Sequence, residues 1–112
     1  MLGLPETKLG MLPAAGGTQS LTRAIGPHAA APIVLTGRNL DADEALRRGI
    51  VHEVVADEGL TERVDELAAE LSALEPAVVA AAKRALSAAW DQPLHQGLST
   101  ERRLARLASL PR

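Results

Sequence analysis

The 112-residue sequence has no cysteine, no phenylalanine and no tyrosine, and its single aromatic residue is Trp90. Without cysteine it can form neither a disulfide framework nor a thiolate zinc site. The three histidines are far apart and have no partner at metal-ligand spacing, so we expect no metal site. Alanine, leucine and valine supply most of the apolar residues. Since small side chains bury little area each, hydrophobic burial is predicted to stabilise the core only weakly for a chain of this length.

The sequence also has no marked excess of one charge and no long apolar run. With 12 basic and 14 acidic residues the net charge is −2 and no basic stripe stands out, so nucleic-acid binding is not expected. No apolar stretch reaches the ~18 residues that a membrane helix needs. The N-terminal segment carries Glu6 and Lys8, unlike a signal peptide. We expect a soluble, cytoplasmic protein without a membrane partner.

Glycine and proline divide the first half of the chain. Residues 1–19 predict turns, with one short extended piece near residues 7–9. A helix is predicted to begin at Gly17 or Thr18, with Thr18 as its cap, and to stop at Gly26. A second short helix is predicted over residues 28–35.

Asp41 and Glu44 predict a third helix, because their spacing is that of a capping box. Glu44 also lies one turn before Arg47 and Arg48, where opposite charges support a helix surface. Gly49 is typical of the residue after a helix end. Residues 50–55 are mostly β-branched and predict a strand.

The remainder is predicted to be helical. Apolar residues recur at the helical period over residues 60–74 and again over residues 79–90. Pro76 suits the first turn of the second of these helices, and Pro93 ends it. The predicted fold class is therefore α+β to mostly α.

Glu6 is the first residue that could carry chemistry. It follows a proline in a glycine-rich stretch with few charged neighbours. A carboxylate fixed on a loop beside a cleft can act as a general acid or base. The alternative is an ordinary solvated surface carboxylate.

Residues 10–18, with the sequence GMLPAAGGT, are the second candidate. Glycines ahead of a helix can bring backbone N–H groups close to an anionic or polar ligand. No Lys-Ser or Lys-Thr pair follows the glycines, which excludes a P-loop. The alternative is a tight turn that needs positive φ.

The order of these motifs resembles the enoyl-CoA hydratase/isomerase, or crotonase, family. The family carries a Pro-Glu pair, a glycine shortly after it, and an apolar-Pro-Gly-Ala-Gly-Gly-Thr-Gln segment, which residues 5–19 resemble. It continues with Leu-Thr-Arg-x-x-Gly, Leu-Thr-Gly, Ala-x-x-x-Gly-apolar-Val and Ala-Lys elements, matched at residues 21–26, 35–37, 45–51 and 82–83. The resemblance covers roughly residues 3–101, and several ordered motifs at family spacing make it specific.

The resemblance implies a partial crotonase fold. Residues 1–57 would be the end of its spiral core and residues 58–112 its C-terminal helices, which serve oligomerisation. It further implies a homo-oligomer, a trimer or hexamer, that acts on an acyl-CoA thioester. Hydration of a 2-enoyl-CoA, as in fatty-acid β-oxidation, is the first expectation and double-bond isomerisation the second. Coenzyme A is part of the substrate, so no separate cofactor is expected. A catalytically silent fragment or a helical oligomerisation module is the alternative.

By the same resemblance, Glu6 is the catalytic residue that handles the proton at the α-carbon while water adds at the β-carbon. The family's oxyanion-hole amides and second acid precede the Pro-Glu motif. We therefore expect an incomplete copy that is inactive, or nearly so, by itself. Ala14 replaces a family glycine, and its methyl group is expected to narrow the pocket or to alter the chemistry. The substrate-binding positions are Leu12, Pro13, Ala14, Gly16 and Gly17.

Overall fold

The computed structural model describes residues 1–108. Contacts divide the chain into two compact units, Met1–Val55 and Ala56 onward. The first unit contains β1 (Leu2–Gly3), a 3₁₀ helix (Pro5–Leu9), α1 (Gly17–Ile25), α2 (Pro27–Thr36), β2 (Asn39–Leu40) and α3 (Ala42–Arg47). The second contains a 3₁₀ helix (Asp57–Gly59), α4 (Leu60–Ser72), α5 (Pro76–Asp91) and α6 (Leu94–Ala108). The predicted helical region ran to residue 112, and its last four positions lie outside the described residues.

The two strands of the first unit pair with each other. β1 and β2 are antiparallel, with Leu2 opposite Leu40 and Gly3 opposite Asn39. A ladder this short carries no periodic signal, so the sequence did not predict it. It places the start of the chain directly beside the segment that follows α2.

The strand predicted over residues 50–55 is wrong. Gly49 has a φ of 73°, and the N–H of Ile50 donates to the carbonyl of Ala45 at 2.9 Å. This hydrogen bond terminates α3, and the residues after it form no helix or strand up to residue 56. β-Branched side chains favour extended backbone, but a strand also needs a neighbouring edge with which to pair.

The extended piece predicted near residues 7–9 is also wrong, because a 3₁₀ helix occupies that segment. Pro5 stands at its first position, where the fixed φ of proline favours a helical turn and a missing N–H costs nothing. Gly10 closes it with a φ of 70°. The N–H of Met11 donates to the carbonyl of Glu6 at 3.0 Å. We call Pro5–Leu9 the Glu6 turn.

The helices that glycine and proline delimit are confirmed. α1 stops at Gly26, and α2 begins with Pro27 and stops at Gly37. The two helices pack against each other. Thr18 as the cap of α1 is wrong: Gly16 takes the cap position, and no side chain caps the helix.

Two charged interactions fix α3. The carboxylate of Asp41 accepts the N–H of Glu44 at 2.7 Å, as the capping box predicts. The Glu44 carboxylate accepts hydrogen bonds from both terminal nitrogens of Arg38, at 3.0 and 2.6 Å, and from Nε of Arg48 at 2.8 Å. The Arg38 hydrogen bonds, followed by that from Arg48, lower the pKa of Glu44 to about 2. Of the two arginines that helical spacing indicated, Arg48 forms the ion pair, whereas Arg38 precedes the helix and was not predicted.

The core of the first unit is small. Its buried apolar residues are Ala30, Ile33, Leu40 and Ala45, and Ile33 and Pro13 are the largest fully buried side chains of the described residues. Ile33 lies on α2, where it is 1% exposed. This helix is therefore the main hydrophobic support of the first unit.

In the second unit α5 and α6 pack together, with Ala88 and Leu104 buried. The predicted apolar stripe of α4 is mostly uncovered: Leu67 is half-buried, and at least half of each other side chain is exposed, namely Leu60, Val64, Leu71 and Leu74. None of the helices described in residues 1–108 is long and apolar enough to cross a membrane.

Replacing Ile33 tests how far the first unit depends on α2. Ile33→Ala should lower the free energy of unfolding by about 2–5 kcal/mol, since it removes buried methyl groups and leaves a cavity. Leu35 on the same helix is 73% exposed, so Leu35→Ala should change it by less than about 0.5 kcal/mol. Urea denaturation followed by circular dichroism measures both. Equal losses in the two variants would contradict this account of the core.

Glu44 should make stability depend on acid pH. Its folded-state pKa, about 2, lies below the ordinary 4.5. The ion pairs therefore stabilise the fold above about pH 4.5, and this contribution is lost as the pH falls towards 2. Glu44→Gln should flatten the decline across that window in urea denaturation. The exposed control Glu62→Gln should keep the wild-type slope, and an unchanged slope in Glu44→Gln would count against the ion-pair cluster.

Candidate functional site

Glu6 is the second residue of the Glu6 turn, and its side chain is half-buried. Its Oε2 atom is shielded from solvent and has no hydrogen-bond partner among residues 1–108. A buried acceptor without a partner costs free energy, so native proteins contain few of them. Such an atom is available to a ligand that brings a donor.

The end of α2 supports the Glu6 turn on one side. The hydroxyl of Thr7 donates to the carbonyl of Val34 at 2.9 Å, across 27 positions of sequence. Gly37 lies close to the same turn: a Cβ there would be 3.0 Å from both Lys8 Cγ and Thr7 Oγ1. The turn therefore rests directly on the chain that leaves α2.

Residues 13–17, which we call the glycine turn, contact Leu4, the residue before the Glu6 turn. A Cβ on Gly17 would be 2.8 Å from Leu4 Cδ2 and 3.3 Å from Pro13 Cβ. Pro13 is fully buried. Leu4 precedes Glu6 by two positions, so this contact also limits where the Glu6 turn can lie.

The five predicted substrate-binding residues have different environments. Pro13 and Gly17 form the packed part of the glycine turn. The other three, Leu12, Ala14 and Gly16, are exposed. Gly16 has a φ of 95° and caps α1, and Ala14 has no positive φ. The predicted residues thus divide into two that anchor the turn and three that are accessible to a ligand.

The N-terminus of α1 follows the glycine turn. In an α-helix the first N–H groups have no partner within the helix and carry a partial positive charge. No side chain caps this end of α1. These N–H groups can therefore receive a polar or anionic group, as the glycine-rich sequence predicted.

Residues 1–108 contain no group of three or more His, Cys, Asp or Glu side chains that could hold a metal ion. All three histidines are exposed.

Thr7 and Gly37 were not predicted as site residues. Gly37 belongs to a family motif in the sequence, but nothing in the spacing of Thr7 indicates a contact with α2. A half-buried carboxylate with a shielded, unpartnered oxygen is a candidate general acid or base.

Comparison with known proteins places the chain in a family. The sequence profile of the family described as "Enoyl-CoA hydratase/isomerase" matches residues 1–108. The chain belongs to this family. A relative from Mycobacterium tuberculosis, named "Probable enoyl-CoA hydratase echA8", is 44% identical over 102 residues, which cover 91% of this chain and 40% of the relative.

Solved structures agree. An enoyl-CoA hydratase from Bacillus anthracis is 40% identical and superposes with a TM-score of 0.90, covering 94% of this chain and 41% of that one. A Thermobifida fusca protein solved in complex with CoA is 38% identical, with a TM-score of 0.84 over 96% of this chain and 42% of that one. The predicted partial crotonase fold is confirmed. The chain spans about 40% of the length of the relatives that it matches.

Gly17→Ala should weaken the anchor of the glycine turn. Its methyl group would overlap Leu4 and crowd Pro13, so we expect a loss of about 1–2 kcal/mol in the free energy of unfolding. Gly97 in α6 is the control, since a Cβ there meets nothing within 4 Å. Gly97→Ala should stabilise by about 0.4–1 kcal/mol. Thermal denaturation of both variants checks the contrast, and a stabilising Gly17→Ala would disprove the close packing.

Proposed function

We propose that this chain supplies the Glu6 side of an active site that hydrates 2-enoyl-CoA thioesters. The observation that carries the proposal is the buried, unpartnered Oε2 of Glu6 on a turn that is held against the end of α2. An acyl-CoA substrate fits the family to which the chain belongs. The CoA complex of the Thermobifida fusca relative supports the same substrate class.

The carboxyl group of Glu6 would deliver the proton to the α-carbon while the oxygen of water bonds to the β-carbon, and the water would give up one proton to the carboxylate of the family's second acid. A carboxyl at hydrogen-bond distance is suited to this step as a general acid. The thioester becomes enolate-like on the way, so its oxygen needs preorganised N–H donors. The family pattern places these donors and the second acid ahead of the Pro-Glu motif. The proposal therefore assigns only the α-carbon proton to residues 1–108.

The glycine turn would bind the acyl part of the substrate. Ala14 is exposed on this turn and Leu12 is exposed just before it, and the N–H groups at the start of α1 follow the turn. The methyl group of Ala14, where the family has glycine, would narrow the space for substrate and water. Coenzyme A enters with the substrate, so the reaction needs no separate cofactor. We further propose a cytoplasmic homo-oligomer, a trimer or hexamer, as the family resemblance implies.

Glu6→Gln tests the proposal directly. The chain is joined to the part of the Mycobacterium tuberculosis relative that lies outside the matched segment, which restores a chain of the relatives' length. Hydration of crotonoyl-CoA is followed by loss of the ultraviolet absorbance of the conjugated thioester. Because glutamine cannot transfer the proton, Glu6→Gln should lower kcat by about 10²–10⁴-fold.

Glu58→Gln is the matched control. Glu58 is the exposed second residue of the other 3₁₀ helix, Asp57–Gly59, and its replacement should leave kcat unchanged. Equal activity of Glu6→Gln and the parent would refute the assigned role. A folded joined protein without turnover would favour the alternative, a catalytically silent fragment or an oligomerisation module.

A further inference from the structure

We propose that Thr7 and Gly37 are positioning residues for the Glu6 carboxyl group. Together they hold the Glu6 turn at one place against the end of α2. The inference rests on the proposed function of Glu6 and goes beyond it, because neither residue belongs to the predicted site.

The Thr7 hydroxyl hydrogen-bonds to a carbonyl that the helix leaves free. Val34 lies in the last turn of α2 (Pro27–Thr36), where carbonyl groups have no partner within the helix. Thr7 donates to this carbonyl at 2.9 Å from a half-buried position. The bond fixes the rotation of the Glu6 turn about its own axis, and Thr7 is the immediate neighbour of Glu6. Loss of the hydroxyl would remove both the anchor and the partner of the Val34 carbonyl.

Gly37 fixes the distance between the Glu6 turn and α2. It is buried and has a φ of 60°, a conformation that strains residues with a side chain. An added Cβ would also be 3.3 Å from Pro5 Cα, a backbone atom of the turn, besides its contacts with Thr7 and Lys8. Side chains can rotate away, but Pro5 Cα can move only with the turn. Any larger residue at position 37 therefore displaces the backbone that carries Glu6.

The Glu6 turn responds to such a displacement as one piece. The N–H of Gly10 donates to the carbonyl of Thr7 at 3.2 Å, and that of Met11 to the carbonyl of Glu6 at 3.0 Å. These bonds close the turn on itself, so a shift at Thr7 or Pro5 is passed to Glu6. Misplacement of a reacting group by ~1 Å can cost up to ~10²-fold in rate. Substrate affinity depends on other residues and should change less than the rate.

Thr7→Val is the main test, because valine keeps the shape of threonine and lacks its hydroxyl. In the joined protein of the preceding section it should lower kcat for crotonoyl-CoA by ~10–100-fold, with KM changed less than ~3-fold. Thr7→Ser keeps a hydroxyl and should restore kcat to within ~3-fold of the parent. Gly37→Ala should resemble Thr7→Val.

Thr36→Val is the matched control. Thr36 lies at the same end of α2, but its hydroxyl bonds to Pro32 of its own helix and not to the Glu6 turn. It should leave kcat unchanged. Equal effects of Thr7→Val and Thr36→Val, or no rescue by Thr7→Ser, would overturn the positioning role.

A second measurement on the 112-residue chain does not depend on turnover. The carboxyl carbon signals of Glu6 and Glu58 are assigned by NMR with the glutamine variants. Thr7→Val and Gly37→Ala should move the Glu6 signal and leave that of Glu58 in place, and Thr7→Ser should return it. An unmoved Glu6 signal in folded Thr7→Val would refute the proposal even if Gly37→Ala fails to fold. A parent without Glu6-dependent turnover would refute the proposed function alone, and the NMR result would then decide the positioning role.

Discussion

The hydrogen bond from Thr7 to the carbonyl of Val34 is the interaction on which the site depends. It joins the N-terminal segment to a helix that begins some twenty residues later, and the approach of Gly37 to Pro5 fixes the same contact. On the N-terminal side of this contact, Leu2 pairs with Leu40 in the short antiparallel ladder. Glu6 thus lies on a short segment attached at both ends.

The same arrangement explains how a shielded carboxylate oxygen can remain without a partner. Such an atom costs roughly 1–3 kcal/mol when nothing replaces its water. A solitary loop would turn the group outward, whereas the Glu6 turn is held by Thr7, Gly37 and Leu4. Local costs of this kind are expected at functional positions, where the rest of the fold compensates for them. Glu44 shows the opposite case, because two arginines satisfy its oxygens and its contribution is structural.

Local sequence signals predicted the helices and failed where long-range pairing decides. Gly26, Pro27, Pro76 and Pro93 mark helix boundaries that the structure confirms, since these residues act on their own backbone. The strand predicted over residues 50–55 failed because extended backbone needs a partner that composition does not reveal. The Glu6 turn and the bond between Arg38 and Glu44 were missed for related reasons: one turn is too short for a periodic signal, and Arg38 lies outside the helix.

The site shows the same division. The family and its fold follow from ordered motifs and are confirmed, whereas the catalytic role of Glu6 stays a prediction. The glycine turn was visible in the sequence, but its packing on Leu4 depends on distances that spacing does not encode. Thr7 was missed because a threonine hydroxyl in a turn can hydrogen-bond to many different groups. Its bond to the carbonyl of Val34 depends on where α2 lies, which the local sequence does not show.

The scarcity of aromatic residues has an experimental consequence. Trp90 lies on α5 with 55% of its surface exposed, and Met1–Val55 contains no aromatic side chain at all. Intrinsic tryptophan fluorescence therefore arises only from the helical second unit. The half of the molecule that carries Glu6 contains no intrinsic fluorophore, so following its unfolding by emission requires a tryptophan or a dye introduced there.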